Sequence, residues 1–230
     1  MSGLDPVIWA AVALSLRVAL VATLASLPLA TLAAWALARR RFPGRGLLHG
    51  LVHLPLVLPP VVTGYLLLVL FGTQGPIGGP LRDVFGLTLA FRWTGAALAA
   101  GIMAFPLVVR AIRLGFEAVD PGLEEAAATL GASRLRIFAT VTLPLIAPAV
   151  LAGAVLGFAK ALGEFGATIT FVAAIPGQTQ TIPTAIYALL QVPGSEGAVW
   201  TLVALSVALA LGTLALAEAL SRRMQARLRG

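Results

Sequence analysis

Long apolar stretches set the first limit on how this chain can fold. A helix needs about 20 apolar residues to cross the hydrocarbon layer of a membrane, and five stretches of this chain reach that length. The chain is 59% hydrophobic and 11% charged, whereas roughly a quarter of the residues in soluble domains are charged. We therefore predict an all-α, polytopic transmembrane helical bundle of about five spans, at residues 9–38, 47–71, 93–114, 143–162 and 198–220.

The distribution of arginine predicts the orientation of this bundle, because cytoplasmic loops of membrane proteins carry an excess of basic residues. With five crossings, the basic segment 39–45, the loop at 115–142 and the C-terminal tail all fall on one side. The opposite side receives only Arg82 and Arg92. We therefore predict that the N-terminus lies outside and the C-terminus lies in the cytoplasm.

The segment at residues 167–176 is apolar but too short to cross a membrane alone. We predict that it is either a re-entrant segment or an extension of the fourth span. A short helix at 181–191, at the outer face, is expected to follow. A sixth crossing is the alternative, but it would remove the charge asymmetry between the two sides.

Composition and motifs exclude several classes of protein. The net charge of +7 would suit nucleic acid, but the basic residues gather at the ends of apolar segments, where membrane proteins carry them. The sequence has no GxxxxGK[ST] phosphate-binding loop and no nucleophile–base pair, so we predict neither enzymatic activity nor a bound cofactor. His49 and His53 share a helix face but lack a third ligand, so we predict no metal site.

The polar loop between the third and fourth predicted spans has the pattern of two short helices. Asp120 and Pro121 are typical of a helix start, and Gly131 is typical of a helix end. A second helix is predicted at residues 133–140. The first helix carries an apolar stripe that this chain is not obliged to cover, which indicates a partner. The stripe consists of Leu123, Ala126, Ala127 and Leu130.

The same loop resembles the EAA motif in permease subunits of ATP-binding-cassette (ABC) importers. Residues 125–144 read EAAATLGASRLRIFATVTLP, with Val141 where that family usually has isoleucine. The resemblance implies a MetI-like type I fold, a single permease domain over residues 1–230, and a cytoplasmic coupling loop at 116–142 that docks on an ATPase subunit. The residues it assigns to this coupling are Glu124, Glu125, Ala126, Ala127, Gly131, Leu143 and Pro144.

Further stretches, at residues 53–68, 105–120 and 161–187, resemble the molybdate permeases of this family. The resemblance implies a homodimer in the cytoplasmic (inner) membrane that imports molybdate, and also tungstate. The other partners it implies are a dimer of ABC ATPase subunits that binds ATP and magnesium, an extracytoplasmic molybdate-binding protein, and membrane lipid. No nucleic acid is expected.

Two alternatives to a molybdate permease stay open at this point. A sulfate or thiosulfate permease is one, because sulfate permeases share a similar LGE-aromatic-G stretch. A secondary transporter driven by an ion gradient is the other. It is less favoured, because such transporters carry several ionisable residues within their spans and this chain has few.

Prolines in the second predicted span indicate a helix that lines the transport pathway. Pro55, Pro59 and Pro60 remove amide donors, so the freed carbonyl groups need partners in the protein interior or beside a water-filled cavity. Thr63 and Gly64 follow on the same helix. We therefore predict a kinked span with Pro59, Pro60 and Thr63 in the pathway.

The outer end of the fourth predicted span has the composition of a gate. Glycines permit changes of backbone conformation there and an aromatic ring can block a channel. The candidates are Gly163, Glu164, Phe165 and Gly166. Glu164 would repel an oxyanion, so we interpret it either as part of the gate or as a structural partner of Lys160 at i,i+4 spacing.

The fourth predicted span also repeats small residues at four-residue spacing: Ala149, Gly153, Gly157 and Ala161. Such a pattern lets helix backbones approach closely. The sequence leaves open whether these residues form the seam of a dimer or pack within one subunit.

Overall fold

The computed structural model describes residues 6–229 as eleven α-helices and one π-helical turn, with no β-strand in that range. Residues 1–5 and Gly230 of the predicted domain lie outside the described residues, as do the basic side chains at 223–229. The helices are α1 (Pro6–Arg39), α2 (Arg45–Val57), α3 (Pro60–Phe71), α4 (Gly78–Phe85), α5 (Trp93–Ala118), α6 (Pro121–Thr129), α7 (Arg134–Ile137), the π-helical turn (Phe138–Thr142), α8 (Leu143–Leu162), α9 (Gly166–Val172), α10 (Ile182–Leu189) and α11 (Glu196–Arg229).

Four helices are long and apolar enough to cross a membrane: α1, α5, the continuous helix Arg134–Leu162, and α11 over Glu196–Leu220. A fifth span exists if the bent pair of α2 and α3 is counted as one unit. The predicted all-α bundle of about five spans is therefore confirmed. α9 and α10 contain 7 and 8 residues, too few to cross, so the described chain gives no support to a sixth crossing.

α1 and α5 lie side by side and run in the same direction. Near their starts, the guanidinium of Arg17 lies 3.8 Å from the centre of the Trp93 ring. At their ends, Arg39 donates a hydrogen bond to the Val119 carbonyl at 3.2 Å. Both helices therefore end at the same side of the bundle.

α8 runs antiparallel to α5. Gly115, near the end of α5, lies against Ala149 near the start of α8, whereas Val108 lies against Gly157 near the end of α8. α8 therefore begins where α1 and α5 end. We call this side of the bundle the loop end, and the opposite side the far end.

α11 starts at the far end and runs towards the loop end, because its buried Leu202 packs with Ile8 and Val12 of α1. The arginine-rich segment at 39–45 and the loop at 119–142 also meet at the loop end. This agrees with the predicted placement of these segments on one side. The assignment of that side to the cytoplasm remains a prediction.

Small residues make the contacts where α1, α5 and α8 meet. Helices in lipid gain little hydrophobic energy by associating, so close van der Waals contact between small side chains holds them together. Gly153 and Gly157 face Ile112 and Val108 of α5, so the small residues of α8 pack within this chain. Buried alanines of the neighbouring helices include Ala19, Ala22, Ala96, Ala99 and Ala100.

The second span differs from the prediction, because residues 47–71 form two helices that turn by 116° instead of one kinked helix. Leu58 between them is extended, with φ −71° and ψ 141°, since a residue before proline avoids the helical region. Pro59 and Pro60 then begin α3 without an amide hydrogen to satisfy. Of the three prolines that predicted a kink, Pro59 and Pro60 lie at the break, whereas Pro55 lies inside α2.

The fourth span is also made of two helices. α8 ends at Leu162, and α9 continues to the far end, where Val172 lies against Gly95 at the start of α5. The segment at 167–176 is therefore an extension of the fourth span, one of the two predicted alternatives. α10 matches the short helix predicted at 181–191.

The depth of the break between α8 and α9 corrects the prediction, which placed residues 163–166 at the outer end of the span. Gly157 lies opposite Val108 of α5. Glu164 follows Gly157 by roughly 10 Å along the helix axis, so the break lies beside the middle part of α5. The predicted fourth span ended at residue 162 and left out α9, so the prediction placed the break at the end of the span.

The close contact between α3 and α9 yields a test of the fold. A Cβ added at Gly64 would lie 2.6 Å from the Ala167 carbonyl oxygen and 2.9 Å from the Ala167 Cα. Both are backbone atoms, so relief requires the two helices to separate. We expect Gly64→Ala to destabilise the protein by about 1–3 kcal/mol, measured as a lower midpoint of thermal unfolding in detergent.

Gly50→Ala is the matched control, because nothing lies within 4 Å of a Cβ added at Gly50 on α2. Alanine favours a helix more than glycine does, so this variant should unfold at the wild-type midpoint or above. Equal midpoints for the two variants would contradict the contact between α3 and α9.

Candidate functional site

Residues 120–144 form an exposed elbow at the loop end, and its first arm is α6. Asp120 Oδ1 accepts a hydrogen bond from the Gly122 amide at 2.9 Å, and Pro121 occupies the first helical position. Proline suits this position because its amide would have no partner inside the helix. The predicted start of this helix is confirmed.

α6 ends with the paired hydrogen bonds of a Schellman motif. The amide of Ala132 donates to the Ala127 carbonyl at 3.2 Å, and the amide of Gly131 donates to the Ala128 carbonyl at 2.9 Å. Gly131 has φ +82°, a left-handed conformation that glycine adopts without a clash at Cβ. The predicted helix end at Gly131 is confirmed.

The second arm differs from the separate short helix predicted at 133–140. Ser133 caps α7 by accepting from the Arg136 amide at 3.4 Å, but α7 then runs through the π-helical turn directly into α8. Leu143 donates its amide to the Phe138 carbonyl, five residues back, and Pro144 has no amide to donate. The second arm and the fourth span therefore form one continuous rod.

Glu124 attaches the first arm to the rest of the bundle. Its Oε1 accepts a hydrogen bond from the Thr142 hydroxyl at 2.7 Å and lies 3.5 Å from the Arg39 guanidinium. Arg39 ends α1, and Thr142 ends the π-helical turn. One carboxylate therefore joins α6, α1 and the second arm.

Glu125, the first residue of the motif, has a different environment. Its side chain is exposed, and no ion pair or hydrogen bond joins it to another described residue. The sequence pattern gave the two glutamates the same role. In the structure, Glu124 binds other parts of this chain, whereas the Glu125 carboxylate is exposed and forms no bond with another described residue.

The elbow carries apolar side chains that the described residues leave uncovered. None of the residues of α6 is buried, and the side chains of Leu130 and Leu135 are 89% and 78% exposed. Leu123 is half exposed. An exposed apolar surface between charged residues is typical of a protein-docking site.

A second candidate site forms where the two broken spans meet. A Cβ added at Gly166 would lie 2.7 Å from the Pro60 Cβ, so the starts of α3 and α9 touch. The predicted pathway residues Pro60 and Gly166, far apart in the sequence, are brought together. Thr63 is buried in the same region, and its hydroxyl has no partner in the described chain. Pro59 lies on the exposed side of the break.

Glu164 holds the break in the fourth span together. The residue is only 3% exposed. Its Oε1 accepts from the Ala167 amide at 3.0 Å, which satisfies a free donor at the start of α9. Its Oε2 accepts from Lys160 Nζ at 3.1 Å. Both oxygens therefore bond within this chain, and the predicted pairing of Lys160 with Glu164 is confirmed.

Phe165 connects the break to α10. Its ring lies 5.2 Å from the ring of Tyr187, measured between centroids, at an interplanar angle of 50°. Tyr187 is half exposed and was not among the predicted site residues. Only the folded chain brings it next to Phe165, and no sequence motif marks it.

The bundle of membrane-spanning helices, the exposed elbow and the two breaks define a membrane-embedded transport subunit. Residues 26–226 match the family model described as "binding-protein-dependent transport system inner membrane component", and the chain belongs to this family. It is therefore a multi-pass protein of the inner membrane and the membrane component of an importer.

Curated relatives of this chain include permeases for molybdenum and for sulfate. The chain is 58% identical to the molybdenum transport system permease protein ModB of Escherichia coli (strain K12), over 93% of each protein. It is 40% identical to the sulfate transport system permease protein CysT of Salmonella typhimurium, over 81% of this chain and 67% of that protein. The resemblance to molybdate permeases seen in the sequence is confirmed.

Solved structures of ABC importers share the fold. A chain of the MetNI methionine transporter, in inward-facing conformations, superposes with a TM-score of 0.68 at 16% identity and covers 94% of both chains. A chain of a bacterial alginate transporter, in complex with a periplasmic protein bound to an alginate pentasaccharide, gives a TM-score of 0.71 at 20% identity, over 96% of this chain and 80% of that chain. The predicted MetI-like fold is confirmed.

The different environments of Glu124 and Glu125 yield a test of the elbow. Glu124→Gln removes the charge that faces Arg39 and weakens the bond to Thr142, which should loosen the first arm. We expect trypsin to cut the purified protein after Arg134 or Arg136 roughly three- to tenfold faster, which corresponds to about 1 kcal/mol of lost attachment.

Glu125→Gln is the matched control, because it makes the same change of charge one residue away without breaking a contact. Its cleavage rate should stay at the wild-type value. Faster cleavage of both variants, or of neither, would mean that Glu124 does not attach the arm.

Proposed function

We propose that this chain is the permease subunit of an ATP-driven importer that moves molybdate, and also tungstate, into the cytoplasm. The observation that carries this proposal is the high identity to a molybdenum permease over nearly the whole length of both proteins. Identity to the sulfate permeases is lower and covers less of their chains. A sulfate or thiosulfate permease is therefore the second candidate.

In this proposal the chain provides the pathway and other subunits provide energy and substrate. The sequence has no phosphate-binding loop, so ATP and magnesium are expected on a separate dimer of ATPase subunits. Two copies of the chain enclose the pathway, and an extracytoplasmic molybdate-binding protein delivers the anion. The alginate importer, solved with its periplasmic protein, is a precedent for that last contact.

The elbow is the proposed docking site of the ATPase. Glu125, Ala126 and Leu130 form its exposed surface beside the half-buried Ala127. Glu124 passes the motion of α6 to Arg39 and Thr142. The rod from α7 through Leu143 and Pro144 to Leu162 runs from the elbow to the break at Gly163. A displacement of the elbow can therefore reach the break without passing through a flexible joint. Coupling of this kind requires an element with two conformations at the far end of the rod.

The paired breaks are the proposed gate. Gly163 and Gly166 flank Glu164 and Phe165, so the backbone can change conformation there. Pro59 and Pro60 separate α3 from α2, so α3 can move together with α9, which it contacts closely. The buried Thr63 hydroxyl has no partner in the part of the chain that the structure describes, and it can donate a hydrogen bond to a passing oxyanion. The pathway is then lined by α3 and α9 in both copies.

Substrate selectivity tests the identity of the cargo. We expect molybdate to stimulate ATP hydrolysis by the chain reconstituted in proteoliposomes with its ATPase and binding protein. Sulfate should need at least a tenfold higher concentration, a discrimination of about 1.4 kcal/mol or more. The same ATPase without this chain is the control and should not respond. Equal stimulation by sulfate would favour the sulfate permease, and transport without the ATPase would favour a secondary transporter.

The turn at Gly131 tests the role of the elbow. The space around a Cβ at Gly131 is open, so a substitution acts through the left-handed backbone and not through a clash. Gly131→Val should cost about 1–2 kcal/mol in that conformation and lower molybdate-stimulated ATP hydrolysis at least fivefold. Gly131→Asn is the control, because asparagine tolerates the left-handed region and should keep most of the coupling. Equal loss in both variants would show that the backbone conformation is not the reason.

A further inference from the structure

A cavity of about 380 Å³ lies between α2 and α5 near the loop end, apart from the elbow and the paired breaks. Five of its six lining residues carry polar side chains. Two come from α2 and the others from the last third of α5: His49, His53, Arg110, Arg113, Leu114 and Glu117.

The charges around this cavity do not balance. Among the described residues that line it, Glu117 carries the only carboxylate, and Glu117 Oε1 already accepts a hydrogen bond from Arg113 Nε at 2.7 Å. Arg110 forms no ion pair or hydrogen bond with any residue in the described part of the chain. One guanidinium therefore remains without a counter-charge.

Arg110 lies on the exposed surface of α5, within the residues predicted to cross the membrane. Arg110 lies in the apolar span α5, roughly 12 Å along the helix axis from its end at Ala118. Ionised side chains inside membrane spans are rare, and they usually pair with another group or face a water-filled cavity. An anion from outside the chain would supply the missing charge.

The histidines form a fixed wall of the cavity. Their rings stack with centroids 4.2 Å apart, and Nδ1 of His53 donates to the His49 carbonyl at 2.9 Å. Imidazole nitrogens that carry a proton donate hydrogen bonds to anions. The wall opposite Arg110 and Arg113 is therefore polar and held in one arrangement.

We propose that this cavity binds a tetrahedral oxyanion, with Arg110 as its main cation. A guanidinium presents a planar fork of donors that matches the oxygens of a phosphate-like group. Val52 is the one buried residue of α2, so the chain itself does not close the surroundings of the cavity, and an anion can enter.

Two sources supply such an oxyanion at this position. One is the phosphate headgroup of an anionic membrane lipid, since basic pockets between spans bind such headgroups on the cytoplasmic side. The other is free oxyanion cargo that leaves the pathway. The second source rests on the proposed function, and the first does not.

Binding to the full chain in lipid nanodiscs, assembled with its ATPase, tests the site. In one arm, native mass spectrometry counts the phosphatidylglycerol molecules that the complex retains against phosphatidylcholine. In the other arm, equilibrium binding of radioactive molybdate is measured in phosphatidylcholine alone. We expect Arg110→Gln to weaken at least one of the two at least tenfold, as loss of a charge-assisted fork contact would.

Arg82→Gln is the matched control, because it removes the same charge from α4, outside the cavity, where Arg82 bonds to the exposed Asp83. It should change neither measurement by more than about twofold. Arg110→Lys keeps the charge without the planar fork and should retain binding in part, which guards against a loss caused by misfolding.

Each outcome of these measurements supports or contradicts an oxyanion site in this cavity. An effect of Arg110→Gln on phosphatidylglycerol alone assigns the site to lipid, and an effect on molybdate alone assigns it to cargo. A wild-type complex that binds neither ligand, or an Arg110→Gln complex that binds both normally, would overturn the inference. If the chain does not carry molybdate, the phosphatidylglycerol arm still reports on the cavity. Failure of the proposed function can therefore be distinguished from failure of the proposed site.

Discussion

Hydrocarbon offers no hydrogen-bond partners, so a transmembrane helix that breaks partway must satisfy its free amides and carbonyls within the protein. This chain breaks two spans, and it meets that requirement in two ways. At the start of α3, Pro59 and Pro60 have no amide hydrogen, and the Pro59 carbonyl accepts from the amides of Val62 and Thr63. At the start of α9, the buried Glu164 carboxylate accepts from the Ala167 amide. The charge of Glu164 is in turn balanced by Lys160.

The two breaks depend on each other. Gly64 and Gly166 let α3 and α9 approach until backbone atoms touch, so each broken helix shields the ends of the other. The break is also connected to the elbow, because α7, the π-helical turn and α8 are continuous. Motion at the elbow and rearrangement at the break are therefore linked through a single helical rod. The glycines at the break, deep in the bundle, allow the backbone to respond to that motion.

Local patterns in the sequence predicted the spans and the elbow, because each depends on neighbouring residues. The cap at Asp120 and the left-handed turn at Gly131 formed as expected. Features that depend on distant contacts were not predictable. The 116° turn after Leu58 accompanies the contact between α3 and α9, and the contrast between Glu124 and Glu125 depends on Arg39 and Thr142. The depth of Glu164 was misplaced for the same reason.

The π-helical turn at Phe138–Thr142 has a consequence for how the chain tolerates length changes. A π-helical turn holds one residue more than an α-helical turn, and each residue of a helix rotates its face by about 100°. Loss of one residue there would convert the turn to α-helix and keep Leu135 on nearly the same face of α8, because the π-helical turn absorbs its extra residue within about one turn. Loss of one residue elsewhere in the rod would instead swing the elbow by about 100° around the axis of α8. The direction in which the exposed surface of the elbow points therefore depends on the number of residues in the rod as well as on their identity.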